Sequence, residues 1–329
     1  MVARRRIFRR AAKALKFAAT AGAKVPKFIK RGFDGFYSRG WLVLFTTMLM
    51  WAANVVAGKL AVGQISPMTL VSMRWLIVCV IMFFMVRGRI GAELPKLKPF
   101  WPLLLIGGAF GFTGFNALFY LAAHHTNGVN ISIIQGAIPV FTLLGAFLVY
   151  GSRFSAMQVI GLMLTLAGVV LVAAKGDFST LAKLQFNIGD VELLIACVFY
   201  STYILALRNR PEVSGLGLFA VMAGIAFVTA VPLALFEVWQ GDFFWPTPFG
   251  MLILLYVALF PSLISQVFFM RGVELIGPAR AGLFANLLPV LGAILSIVFL
   301  GEQFGLYHAI ALGLVLGGIY TAERLGVKA

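Results

Sequence analysis

Two amides beside prolines are the first residues of this sequence that could do chemistry. Pro139 and Pro289 each lie inside a long apolar run, and a proline there removes one backbone donor and displaces the carbonyl four residues earlier. Gln135 precedes the first proline and Asn286 precedes the second. Unsatisfied backbone within a membrane is tolerated only against protein or a water-filled cavity. The pattern therefore predicts helix breaks that line a polar cavity.

A second pair of helix-weakening residues repeats the pattern. Gly111 and Pro261 are 150 positions apart, and Asn116 and Gln266 follow them by five residues. Four breaks with four neighbouring amides favour one solute-binding cavity, with the breaks as hinges. The alternative is that the kinks only adjust helix packing and that each amide hydrogen-bonds a neighbouring helix.

Arg74 is the one cation predicted to lie deep within a membrane span, about 10 Å from the outer end of its helix at 1.5 Å per residue. Such residues are costly in hydrocarbon and are candidates for function. Arg74 is expected either to bind a carboxylate of the solute or to pair with Glu192. Aromatic residues complete the predicted solute-binding set, which is Trp51, Asn54, Arg74, Asn116, Tyr120, Gln135, Tyr203, Gln266 and Asn286.

The other titratable residues near the predicted spans give weaker indications of function than Arg74. Lys59 is expected to extend to the membrane interface, and His124 and His125 end a span where they are expected to be hydrated without a carboxylate partner. No aspartate or glutamate is predicted deep in a span, so coupling to an ion gradient lacks a carrier. The sequence has no H-E-x-x-H, no G-x-S-x-G and no metal-ligand cluster. We expect no enzyme activity, no metal and no cofactor.

Composition indicates an integral membrane protein. Hydrophobic residues make up 61% of the chain and charged residues 12%, where soluble domains have about half and a quarter. Ten apolar windows, each able to cross about 30 Å of hydrocarbon, predict an all-α protein of ten transmembrane helices. The predicted spans are 41–58, 68–86, 101–123, 131–150, 157–174, 191–207, 216–236, 249–270, 279–300 and 306–322.

Charge predicts the orientation. Of 27 lysines and arginines, 12 precede Trp41, and alternating spans bring most of the others to the same side. The positive-inside rule then places both termini in the cytoplasm, in a bacterial inner membrane. The basic tail is expected to be a solvated anchor or an amphipathic helix on anionic lipid. It carries no module for nucleic acid.

The chain contains two copies of one unit. At an offset of 150, Pro139 matches Pro289, Gly151 matches Gly301 and Gly168 matches Gly318. Each copy has five predicted spans, so the second copy enters the membrane from the opposite side. Inverted repeats are typical of secondary transporters, which bind solutes near the midplane and alternate between two access states.

With these two copies, the chain resembles the EamA-type ten-helix exporters of the drug/metabolite transporter superfamily. The similarity lies in "WAANVVAGKLAVGQISPMTLVSMRWL" from Trp51, "GAIPVFTLLGAFLVYG" from Gly136 and "ELIGPARAGLFANLLPVLGAILSIVFLGEQF" from Glu274. The resemblance implies export or exchange of small organic metabolites such as amino acids. A difference is that the Gly301-Glu302 pair of the second copy is Gly151-Ser152 in the first.

The predicted organisation is a tail at 1–40, repeats at 41–174 and 191–322, a loop at 175–190 and a C-terminus at 323–329. The alternative function is a lipid-directed flippase for lipid-linked sugars. Solute identity, coupling ion, direction of transport and oligomeric state stay open at this stage.

Overall fold

The computed structural model describes residues 35–153, 155–176, 187–211 and 213–322. Most of the predicted basic tail and of the predicted connecting loop lies outside these ranges. The described residues form helices and no strand, which confirms the all-α prediction. The ten helical segments are α1 Gly40–Ala61, α2 Pro67–Val86, α3 Ile90–His125, α4 Gly128–Tyr150, α5 Ala156–Ala173, α6 Ile188–Asn209, α7 Gly215–Gln240, α8 Pro248–Ile276, α9 Arg280–Leu300 and α10 Leu306–Tyr320.

In the part of the chain that the structure describes, nine of these segments are long and apolar enough to cross a membrane. The tenth, α10, is apolar but has only 15 residues. Large apolar side chains such as Trp239, Leu148 and Val298 are exposed on the outside of the bundle. An apolar exterior suits hydrocarbon rather than water.

The repeat is visible in the local geometry of the helices. A π-helical segment, Ile106–Gly114, interrupts α3, and a second one, Ala258–Ile264, interrupts α8 at equivalent positions. Helices of 13 residues, Ile138–Tyr150 and Leu288–Leu300, end α4 and α9. Both stop at a glycine in the left-handed region, with φ of 63° at Gly151 and 66° at Gly301.

Several helices extend beyond their predicted ends, and α3 begins at Ile90 rather than 101. α6 begins at Ile188 rather than 191, because the side chain of Asn187 accepts the backbone N–H of Gly189 at 2.8 Å. Part of the predicted loop at 175–190 is therefore helical. α7 continues to Gln240 rather than 236 and is ended by Gly241, whose φ is 84°.

Carboxylates of the second repeat bind helix N-termini of the first. Glu237, near the end of α7, accepts the N–H groups of Met68 and Thr69 at 2.8 and 3.0 Å, and also the hydroxyl of Thr69. Glu302, after α9, accepts the N–H groups of Gly128 and Val129 at 2.7 and 2.8 Å. The first-turn amides of α2 and α4 thereby gain acceptors and a favourable charge.

The opposite end of the bundle has a related contact. Glu93 accepts the hydroxyl of Ser214 at 2.8 Å, and that hydroxyl accepts the N–H of Gly217 in the first turn of α7. These three carboxylate contacts join the two repeats.

Removing the Glu237 carboxylate should destabilise the bundle. In Glu237→Ala, three hydrogen bonds are lost and two buried backbone amides lose their acceptor, so we expect the free energy of unfolding to fall by about 1–3 kcal/mol. Thermal unfolding of the purified protein in detergent measures the change. Glu274→Ala is the control, since Glu274 is exposed and pairs only at 3.4 Å with Arg271. Equal shifts in the two variants would contradict the assignment.

Candidate functional site

The guanidinium of Arg74 is the centre of a buried polar cluster. Arg74 lies on α2 and is 4% exposed. Its Nε donates to Ser262 Oγ, and its Nη1 donates to Asn116 Oδ1 at 2.6 Å and to Tyr120 Oη at 2.8 Å. Ser262 belongs to the second repeat and the other three residues to the first. The cluster therefore lies where the two repeats meet.

Further hydrogen bonds fix the partners of Arg74. Tyr120 donates its hydroxyl to Asn54 Oδ1 at 3.0 Å, and Asn116 donates to the carbonyl of Phe112 at 2.6 Å. Ser262 donates to the carbonyl of Val257. That carbonyl is four residues before Pro261, which has no N–H to bond it. A helix break thus provides the acceptor that orients Ser262 towards the guanidinium.

Arg74 has no carboxylate partner among the described residues. The predicted alternative pairing with Glu192 is wrong, because Glu192 contacts His125 Nδ1 at 3.2 Å while Arg74 bonds only neutral groups. The two residues were linked by predicted depth alone, and the fold directs their side chains to different partners. The charge of Arg74 is solvated by dipoles and not neutralised.

Donors at this cluster outnumber acceptors. The bonds to Ser262, Asn116 and Tyr120 use the Nε–H and both Nη1–H groups, and no bond of Nη2 is found in the described ranges. The ring of Trp75 lies 5.5 Å from the guanidinium carbon, and its buried Nε1–H has no acceptor among the described residues. This donor set is suited to an anion.

Aromatic rings continue from the guanidinium towards α6. Trp75 stacks on Phe112 at 4.8 Å between ring centroids, Phe112 meets Tyr203 at 5.4 Å, and Tyr203 meets Tyr200 at 5.5 Å. Gly111 leaves the space that Tyr203 occupies, since a Cβ there would collide with the tyrosine ring. Tyr203 from the predicted set therefore packs near the cluster without bonding to it.

Trp51 forms a separate contact between the repeats. Its Nε1–H donates to Ser265 Oγ at 2.8 Å and to the carbonyl of Pro261 at 3.1 Å. Ser265 in turn donates to the same carbonyl at 2.6 Å. Trp51 thus bonds to the broken segment of α8 rather than to Arg74.

The structure brings only part of the predicted set together. Asn54, Arg74, Asn116 and Tyr120 form one hydrogen-bonded network. Gln135 donates to the carbonyl of Ile131 in its own helix at 3.2 Å. Two further predicted residues, Gln266 and Asn286, are half-buried.

The four predicted hinges lie at irregular backbone. Gly111 and Pro261 are within the two π-helical segments. Pro139 follows a turn at Gly136 and Ala137 that separates the two halves of α4, and Pro289 follows the 3₁₀ turn Phe284–Leu287. Their hinge role stays a prediction.

One expectation for the outer end was wrong, namely that the histidines there have no carboxylate partner. The extension of Lys59 to the membrane interface stays a prediction, and its Nζ donates to the carbonyls of Ala123 and Thr126, at 2.7 and 2.9 Å, where α3 ends. His125 does have a carboxylate partner, Glu192. Both side chains satisfy groups at helix ends that the sequence alone did not bring together.

Ser262 and Ser265 were missed by sequence reasoning. Both follow Pro261 within one helical turn, so the signal was a hydroxyl beside a break rather than an amide. The described residues hold no group of three histidine, cysteine or acidic side chains placed for a metal.

Removing one hydroxyl tests whether the network is connected. In Tyr120→Phe, the acceptor for Arg74 and the donor to Asn54 are both lost, so we expect a decrease of about 1–3 kcal/mol in the free energy of unfolding. Tyr200→Phe is the matched control, since no hydrogen bond of its hydroxyl is found in the described ranges. Thermal unfolding of both variants measures the difference, and an unchanged midpoint for Tyr120→Phe would rule out the network as described.

Comparison with known proteins agrees with this architecture. The sequence model of the EamA-like transporter family matches residues 38–174 and 187–322. The uncharacterized transporter YyaM of Bacillus subtilis is 25% identical over 86% of this chain and 93% of its own length. The uncharacterized inner membrane transporter YedA of Escherichia coli is 24% identical over 83% of this chain and 87% of its own length.

A solved crystal structure supports the fold. Its protein is 21% identical, and the alignment covers 88% of this chain and 98% of that one with a TM-score of 0.60. With both repeats matched in order, this multi-pass membrane chain belongs to the EamA-like transporter family, whose function is transport and not catalysis.

Proposed function

We propose that this transporter exports or exchanges small organic metabolites that carry a carboxylate, such as amino acids. The observation that carries the proposal is the buried guanidinium of Arg74, which has no carboxylate partner among the residues that the structure describes. An arginine at the centre of a membrane helix costs about 2.5–3.5 kcal/mol on insertion scales. Hydrogen bonds that Arg74 donates to Ser262, Asn116 and Tyr120 reduce that cost but add no negative charge.

A bound carboxylate would supply the missing charge. The described carboxylates are committed elsewhere or exposed: Glu93, Asp190, Glu192, Glu237 and Glu302 bond other groups, Glu274 pairs with Arg271, and Asp242 lies at the exposed end of α7. The two Nη2–H groups are available for one oxygen or two. Charge-assisted bonds of this kind are roughly twice as strong as neutral ones.

The aromatic run gives the rest of the solute an apolar surface. Trp75, Phe112, Tyr203 and Tyr200 lie in sequence from the guanidinium. A carboxylate at Arg74 would place an adjoining side chain along these rings. Small-molecule sites typically combine such apolar walls with a few fixed polar groups.

The mechanism that we propose is alternating access between the two repeats. The cluster contains groups of both repeats, and the two irregular π-helical segments border it. Inverted repeats bind solutes at this kind of boundary and rock about it. Both termini are proposed to be cytoplasmic, with the protein in an inner membrane like the one in YedA's name, and the basic tail to lie along anionic lipid.

Counterflow in liposomes tests the function. The purified protein is reconstituted with an unlabelled panel inside, and uptake of labelled amino acids, monocarboxylates and nucleosides is measured. We expect counterflow of carboxylate-bearing solutes only. Arg74→Gln should lower it about tenfold or more, which corresponds to the loss of one charge-assisted bond of about 1.4 kcal/mol or more.

Arg87→Gln is the matched control for the loss of one positive charge. Arg87 follows α2 in the exposed loop, and its guanidinium lies 5.6 Å from the Phe84 ring. Wild-type counterflow in Arg87→Gln with loss in Arg74→Gln supports the proposal. Exchange of nucleosides without carboxylates, or full activity of Arg74→Gln, would refute the anion site. Translocation of labelled lipid with no solute counterflow would favour the flippase alternative.

A further inference from the structure

α4 and α9 pack against each other through one half of each helix. In the orientation predicted from charge, these are the outer halves, Gly128–Gln135 of α4 and Leu288–Leu300 of α9. Their contacts are close because one partner is small at each level. A Cβ built on a glycine would lie 3.1 Å from Ser296 Cβ at Gly128, 2.9 Å from Ser132 Cβ at Gly292, and 3.4 Å from Pro289 Cγ at Gly136.

The inner halves of the same helices diverge. Ile138–Tyr150 of α4 packs on α6. The inner half of α9, together with the two residues before it (278–287), packs on α8 and α1. No packing comparable to that of the outer halves joins the two inner halves in the described residues. The pair therefore opens from the level of Gly136 and Pro289 towards the side predicted to be cytoplasmic.

Nothing in the observed arrangement requires a glycine at position 282, on the inner half of α9. Its φ is not in the left-handed region, it is exposed, and a Cβ placed there would meet nothing within 4 Å. A glycine inside a helix costs up to about 1 kcal/mol relative to alanine. A close approach in another conformation of the protein would explain it.

The repeat identifies the partner of that approach. At the repeat offset of 150, Gly282 is equivalent to Ser132, and Thr142 is equivalent to Gly292. The observed outer contact joins a serine of α4 to a glycine of α9. Its symmetric inner counterpart would join a glycine of α9 to a threonine of α4. One hydroxyl residue faces one glycine in both, with the roles of the two helices exchanged.

A second pair follows the same rule. The outer contact between Gly136 and Pro289 becomes a contact between Asn286 and Pro139. All four residues lie at the breaks of α4 and α9. We call the observed contact of the outer halves, Ser132 with Gly292 and Gly136 with Pro289, the outer seam. Its symmetric counterpart, Gly282 with Thr142 and Asn286 with Pro139, is the inner seam. The two seams would therefore meet at the level where each helix can bend.

We propose that Thr142 and Gly282 form the closing contact of the inner gate, made when the outer contact of Ser132 with Gly292 opens. This inference rests on the proposed alternating access and specifies the surfaces that exchange. The seam on α4 and α9 has two mutually exclusive halves, and the solute site is reached from the side where the seam is open.

The carboxylate contacts make the two seams unequal. Glu302 holds the first turn of α4 beside the outer seam through Gly128 and Val129. The equivalent position beside the inner seam is Ser152, which has no carboxylate. A closed outer seam therefore has an ionic hydrogen-bonded contact that a closed inner seam lacks, in keeping with the state observed.

A bulky residue at Gly282 tests the inner contact. Position 282 is exposed and a Cβ there meets nothing within 4 Å, so we expect the thermal midpoint of Gly282→Phe to match that of the wild type. Counterflow should fall about tenfold or more because one access state is blocked. Gly313→Phe is the matched control, since Gly313 on α10 is also exposed with nothing within 4 Å of a Cβ. Its counterflow should be unchanged.

Cysteine pairs locate the contact directly. In a background with Cys79→Ala and Cys197→Ala, Thr142→Cys with Gly282→Cys should form a disulfide under oxidant only while the protein cycles, and should then stop counterflow until a reductant is added.

Failure of the inference differs from failure of the proposed function. Wild-type counterflow in Gly282→Phe, together with no disulfide between positions 142 and 282 in a cycling protein, would overturn the inner seam. Absence of counterflow in the unsubstituted protein would overturn the transport of the tested solutes, while cross-linking at 142 and 282 would still support the seam.

Discussion

Hydrocarbon offers no water to a polar group, and most polar contacts of this protein follow from that constraint. Each helix end and each break within a helix leaves backbone amides or carbonyls to be bonded by the protein itself. Lys59 bonds the last carbonyls of α3, Glu237 bonds the first amides of α2, and Ser262 bonds a carbonyl released by Pro261. Of these contacts, the one between Glu237 and α2 also joins the two repeats.

Arg74 shows where the constraint is met only in part. Its hydrogen bonds to Asn116, Tyr120 and Ser262 provide dipoles, and dipoles leave the net charge in place. A buried charge that lacks a partner is costly enough to be lost unless something offsets the cost. A solute that brings the opposite charge would offset this cost during binding. The free energy that the unpaired charge costs in the empty protein would then contribute to the affinity for an anion.

The period of the sequence predicted the architecture, because spans of apolar residues and an offset of 150 depend on local composition alone. The sequence also indicated that Asn54, Arg74, Asn116 and Tyr120 belong to one polar set, because polar residues within the predicted spans are few. It failed for partners that are far apart in sequence. The bonds of Arg74 to Ser262 and of Glu237 to Thr69 join residues more than 160 positions apart, and they depend on how the two repeats pack. The pairing of Arg74 with Glu192 was wrong for the same reason.

Symmetry of the fold and asymmetry of the site have separate roles. The repeat places π-helical segments, glycine ends and small-residue seams at matching positions in both copies, which suits a motion that must look alike from either side of the membrane. The chemistry does not repeat, because α7 in the second copy has no arginine or lysine and the counterpart of Ser262 is Phe112. A second buried guanidinium would repel the first and require a second anionic group on the solute. One guanidinium with neutral partners therefore agrees with the proposed solute, which carries one carboxylate.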